Sequence, residues 1–187
     1  MPAPLISREE ILNRLTGAFR EFGYHGATIN ELSAATGLGK ASLYHSFKGG
    51  KQEMAEAVLD HVAVRFDEAV LAPLRNRGPV RERLTRMVLA LGEFYHGGES
   101  SCVYELFSVG ATGGAFQDRL IRAFAVFSEH LASVAIEAGI DDDTAKRRAN
   151  EAVIAVQGAL VVARGTGDAD VFQQTLAALP GRLLATA

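Results

Sequence analysis

The stretch ATGLGKASLYHSF, Ala35–Phe47, decides the fold, because it can be read in two incompatible ways. As a nucleotide phosphate loop it would need Gly, four residues, then Gly-Lys-Ser/Thr, following a strand. Position 34 is Ala34 rather than Gly, and Ala41 stands where the Mg²⁺-holding hydroxyl belongs. The preceding segment TINELSAAT has a Thr28–Glu31 capping box, which starts a helix and not a strand. The phosphate-loop reading therefore fails. The other reading is a helix-turn-helix: two short helices joined by a tight turn, the second lying in a DNA major groove. Gly37 allows the left-handed backbone the turn requires. Ile29, Leu32, Ala35, Leu38 and Leu43 are expected to face inward, with Phe47 in the core. Gly39 would permit close approach to a phosphate strand, and Lys40, Ser42, Tyr44 and His45 would line the open face of the second helix. Thr28 would offer a hydroxyl and a helix N-terminus to a phosphate, and Lys51 a charge.

Outward from this stretch the signals stay helical. Ser7 with Glu10 caps a first helix carrying Ile11, Leu15, Phe19 and Phe22, stopped by Gly23. Met54, Val58, Val62, Phe66, Val70 and Leu74 recur every four residues and predict a long helix from about Gln52 to Leu74. Further helices follow Pro79, the short CVYELFSV segment, the GATGG break, the DDDT cap and GTGD, with Pro180 expected to interrupt or end the last. No hairpin or βαβ rhythm is present. The expected fold class is all-α, with about nine helices: a small head at 1–52 and a helical bundle at 53–187.

Composition narrows the function. A single cysteine, Cys102, excludes an internal disulfide and suits a cytoplasmic protein. The apolar run AVIAVQGALVVA is too short to span a bilayer, and the N-terminus lacks a secretion signal, so no membrane partner is expected. Residues 1–52 carry six Lys/Arg against four Glu, net +2, while the remainder carries 13 against 18, net −5. A mildly basic head on an acidic body fits an anion-binding unit attached to one that does not bind anions. The single Glu-x-x-His, Glu93 and His96, is half of a di-metal site. With no catalytic motif, metal site or cofactor signature, a non-enzyme is expected.

The segment AFREFGYHGATINELSAATGLGKASLYHSFKGGKQEMAEAVL resembles the N-terminal domain of TetR-type (tetracycline-repressor-like) bacterial regulators, over about residues 7 to 60. Phe19, Gly23, Tyr24, Thr28, Ile29, Leu32, Ala35, Gly37, Leu43, Tyr44, Phe47 and Lys51 match in type and spacing. The resemblance implies a helical homodimer, usually a repressor, that binds a near-palindromic operator and is released by a small molecule. It places Thr28, Lys40, Ala41, Ser42, Tyr44, His45 and Lys51 at the DNA. Gly39 departs from the pattern, since a hydroxyl residue often stands there.

The rest of the chain is read more coarsely. Residues 91–127 hold seven of the 14 aromatics on three consecutive helices, a composition shared by pocket walls and cores. Met87, Leu91, Phe94, Tyr95, Cys102, Tyr104, Phe107, Phe124 and Phe127 are the expected lining for a small apolar or aromatic effector. The helix around AVIAVQGALVVA is apolar nearly all round and needs cover on every side. A second subunit is the expected cover, through Val153, Val156, Gln157, Leu160, Val161, Phe172 and Leu176. The alternative function is a helical small-molecule-binding protein that does not read DNA.

Overall fold

A computed structural model describes residues 6–109 and 113–185. Among them every regular element is helical: α1 (Arg8–Gly26), α2 (Ile29–Thr36), α3 (Lys40–Ser46), α4 (Gly50–Phe66), α5 (Ala72–Arg75), α6 (Val80–Phe94), α7 (Val103–Ser108), α8 (Gly113–Glu137), α9 (Asp142–Thr166) and α10 (Asp170–Leu183). A π-helical turn, Asp67–Leu71, lies between α4 and α5 with helical backbone on both sides, so the chain stays helical from α4 into α5, as the four-residue spacing predicts. The wide turn has a local cause: Pro73 has no N–H to complete the ladder. Arg75 braces it by donating to both carboxylate oxygens of Asp67, at 2.7 and 2.8 Å. Part of the GATGG break, residues 110–112, lies outside the described residues.

Local chemistry sets most of the boundaries. Ser7 Oγ accepts from Glu10 N at 3.1 Å and starts α1. Gly23, at φ 65° and ψ 177°, breaks that helix before a last turn that ends at Gly26. Asp141 caps α9 by accepting from Thr144 N at 3.0 Å. Pro180 does not end α10, contrary to the sequence expectation: the helix passes through it to Leu183. A proline removes one ladder bond near the C-terminus, and the end of the helix is held by Arg148, whose guanidinium donates to the Leu183 carbonyl at 3.3 Å and to that of Ala185.

The chain divides into two compact units. The first comprises residues 1–63 and 103–119, so it includes α7 and the start of α8 besides the expected head. Its core holds Leu15, Phe19, Leu32, Leu43, Phe47, Met54 and Val58, all fully buried. Burying one such side chain contributes roughly 1.5–3 kcal/mol. The second comprises residues 64–102 and 120–187. There α9 and α10 pack along each other, and Arg83 is a buried connector. Its guanidinium donates to the Leu74 carbonyl at the end of α5 (2.7 Å) and lies 2.5 Å from Glu137 near the end of α8. Hydrogen bonding to Arg83 holds the Glu137 carboxyl below its ordinary pKa. Arg83→Ala should destabilise the fold by roughly 1–3 kcal/mol, because the Leu74 carbonyl loses its donor in a buried setting. A urea titration measures this; an unchanged midpoint would show that the connector is dispensable.

Candidate nucleic-acid interface

The second helix of the helix-turn-helix has two faces, set by residues four apart. Leu43 is fully inside, and Phe47, just past the last turn, is buried behind it. Lys40, Ala41, Ser42, Tyr44 and His45 are exposed, Tyr44 to 48%. Arg8 of α1 stacks its guanidinium 5.1 Å from the Phe47 ring centroid, fixing the start of α1 beside the end of α3.

The turn is built as the sequence predicts. Gly37 sits at φ 72° as the left-handed C-cap of α2, its N–H bonded to Ser33 O. Ser33 Oγ donates to the Leu38 carbonyl at 2.6 Å, and Arg14 donates to the Thr36 carbonyl at 3.1 Å. Ala35 is exposed, against expectation, and Ile29 and Leu38 are half-buried. A two-turn helix packed on one side offers full burial to few positions, here Leu32 and Thr36.

Gly39 is the N-cap of α3, with ordinary extended backbone (φ −64°, ψ 151°) and no capping side chain. Nothing lies within 4 Å of the place a Cβ would take, so the glycine is required neither by conformation nor by space. Gly39→Ser should therefore add a cap worth a few tenths of a kcal/mol. A small rise in melting temperature checks this, and a fall would show that the site needs glycine.

At the N-terminus of α2, the Thr28 hydroxyl and N–H both donate to the Glu31 carboxylate, the latter at 2.6 Å. Hydrogen bonds from Thr28 hold the Glu31 carboxyl below its ordinary pKa, with a smaller contribution from the charge of Lys51. Thr28 is exposed as expected, but its hydroxyl already has an acceptor. Lys51 is half-buried at the start of α4: its ammonium donates to the Tyr24 carbonyl and lies over the Tyr24 ring. In the sequence Tyr24 stands out only as a match to the family pattern, and Arg8 has no expected role. Their contacts join parts of the chain distant in sequence and leave no local spacing signal.

Residues 11–58 match the family model described as bacterial regulatory proteins, tetR family. Over these residues the chain is similar to TetR-family DNA-binding domains. Among curated relatives, the TetR-type domain is 39% identical over 67 residues to the HTH-type transcriptional repressor AcnR of Corynebacterium efficiens, which is 36% of this chain and 35% of AcnR. It is 45% identical over 53 residues to the HTH-type transcriptional regulator LmrA of Bacillus subtilis, 28% of each chain. The chain thus matches about a third of the length of these curated relatives. The full TetR-type fold extends further. A TetR regulator from Legionella pneumophila superposes with a TM-score of 0.81 at 20% identity, covering 96% of this chain and 97% of that one. The TetR-family regulator CifR, solved with 26-bp operator DNA, superposes with a TM-score of 0.74 at 19% identity, covering 99% and 100%.

The expected effector residues do not form one group. Tyr104 and Phe107 lie in the first unit, where the Tyr104 hydroxyl donates to the Leu59 carbonyl at 2.7 Å and Phe107 packs against Phe19 and Phe116. In the second unit, Phe94 meets Tyr95 at 5.2 Å and Phe66 at 5.3 Å, and Phe66 meets Phe127 at 5.2 Å. Met87, Leu91 and Cys102 are buried in that unit, and Phe124 is half-buried. Phe66 was not among the expected residues, although its four-residue spacing had marked it as core.

The expected dimer residues divide in the same way. Val153, Val156, Leu160, Phe172 and Leu176 are buried inside this chain, because α9 and α10 turn these sides toward their own core. Phe172 packs edge-on to Tyr95. Gln157 is half-buried, with Oε1 lacking a hydrogen-bond partner, and Val161 is exposed. The outward apolar side of α9 is instead Ile154, Val161 and Val162, exposed to 71%, 46% and 47%. Among the described residues no helix is long and apolar enough to cross a membrane, and no group of three or more His, Cys, Asp or Glu could hold a metal.

Proposed function

We propose that this chain is a ligand-responsive transcriptional regulator, a repressor, that binds a near-palindromic operator as a homodimer in the cytoplasm. The observation that carries this is the exposed row Lys40, Ala41, Ser42, Tyr44 and His45 on a TetR-type second helix seated by buried Leu43 and Phe47. Similarity to the repressor AcnR and to CifR, a regulator solved on operator DNA, supports it. Residues 1–52 would read DNA and residues 53–187 would bind effector and pair. The aromatic-rich composition of residues 91–127 is the basis for an apolar or aromatic effector. The outward row Ile154, Val161 and Val162 supports pairing through α9. Two copies would set their second helices in successive major grooves about one helical turn apart. An effector would lower operator affinity only by binding more tightly to the state in which that spacing is wrong.

The test is selection of duplexes from a random library with the full chain, followed by titration at several salt concentrations. A palindromic consensus is expected, with affinity falling roughly a thousandfold or more between 50 and 200 mM salt if about six phosphates are contacted. No enrichment, or affinity indifferent to salt, would favour a helical ligand binder that does not read DNA.

A further inference from the structure

Lys51 is held more closely than a surface lysine ordinarily is. Its ammonium donates to the Tyr24 carbonyl at 2.9 Å and lies 4.6 Å from the centroid of the Tyr24 ring. Both contacts come from one residue, just past the break at Gly23. Tyr24 is itself held. Its ring lies edge-on to Phe107 at 5.7 Å and to Phe116 at 5.2 Å, and stacks near Phe19 at 6.3 Å. Phe19, Phe107 and Phe116 are each at most 1% exposed, so the ring rests on a packed bed. Two of the three come from α7 and the first turn of α8, within the same compact unit as Lys51.

An ammonium has three protons. One is committed to the Tyr24 carbonyl, which leaves donors for an external anion. Holding the side chain in place beforehand lowers the entropy lost when that anion binds. We propose that Tyr24 is a positioning residue for Lys51: its carbonyl and ring hold the ammonium for one DNA phosphate, and Phe107 and Phe116 hold the ring. This rests on the DNA-reading function proposed above. It also gives residues 103–119 a part in that function that their distance in sequence from the helix-turn-helix conceals.

The experiment uses the full chain and a duplex selected by the wild type, with affinity measured against salt for Tyr24→Phe, Tyr24→Leu, Lys51→Ala and the Tyr24→Leu/Lys51→Ala double variant. Tyr24→Phe keeps ring and carbonyl and should match wild type. Tyr24→Leu should weaken binding about fivefold or more and lower the slope of log K against log salt by about one, as Lys51→Ala does. The double variant should be no weaker than Lys51→Ala alone. If Tyr24→Leu fails to fold by circular dichroism, Phe116→Leu, which keeps Tyr24 and Lys51 in the chain but loosens the bed that positions them, should show the same fall in slope. A Tyr24→Leu or Phe116→Leu protein with the wild-type slope, or additive losses in the double variant, overturns the assignment. If the wild type selects no sequence, the DNA-reading proposal falls and this one with it; if it does and its slope survives the ring's loss, only this one falls.

Discussion

Gly98→Ala should lower the melting temperature by about 10 °C, on the scale of roughly 2–4 °C per kcal/mol for a chain this size. Two costs combine at one atom. Gly98 sits at φ 113°, a backbone conformation open almost only to glycine, and forcing a side chain into it costs roughly 1–3 kcal/mol. A Cβ placed there would lie 2.9 Å from the Phe172 Cβ. That neighbour is not the free end of a flexible chain. Phe172 is fully buried on α10, and its Cβ moves only if the helix moves. Overpacking of this kind costs about 1–3 kcal/mol more. Gly17→Ala is the matched control: in α1, with nothing within 4 Å of a new Cβ, it should be neutral or stabilise by up to about 1 kcal/mol. A Gly98→Ala protein that melts with wild type would mean that α10 does not pack against Gly98.

Tyr44→Ala should cost at least tenfold in operator affinity, about 1.4 kcal/mol, while leaving the fold intact. The side chain is 48% exposed on the open face of α3, so its removal takes little from the core. Its neighbour on the same helix, Leu43, is fully buried, and Leu43→Ala should cost roughly 2–5 kcal/mol of stability instead. Adjacent residues would thus separate the proposed DNA contact from holding the helix in place. Tyr44 is uncharged, so its loss should weaken binding without changing the salt slope. Lys40→Ala, removing an exposed cation, should reduce that slope by about one. Wild-type affinity in Tyr44→Ala would remove this helix from the interface.

The contrast between Leu43 and Tyr44 shows what kind of information is local. Capping at Ser7, Thr28 and Asp141, the left-handed turn at Gly37 and the break at Gly23 all depend on residues within a few positions of one another, and all appear where composition and spacing predict them. The direction in which an apolar helix face points is a different matter. The near-continuous apolar surface of α9 suggested cover by a partner, yet Val153, Val156 and Leu160 are covered by their own chain, and Ile154, Val161 and Val162 face out. Periodicity marks which residues share a side. It does not say which element lies against that side.

By itself, then, the sequence determined the all-α class, the helix-turn-helix, the turn at Gly37 and the exposed residues of α3, because each follows from backbone conformation and helical period over short spans. Only the tertiary structure decided that Tyr24 holds Lys51 on a bed from residues 103–119, that Gly98 meets Phe172, and that the expected effector aromatics separate into two groups. Those contacts join residues tens of positions apart. Such residues meet only once the helices have packed, and no local propensity records the meeting.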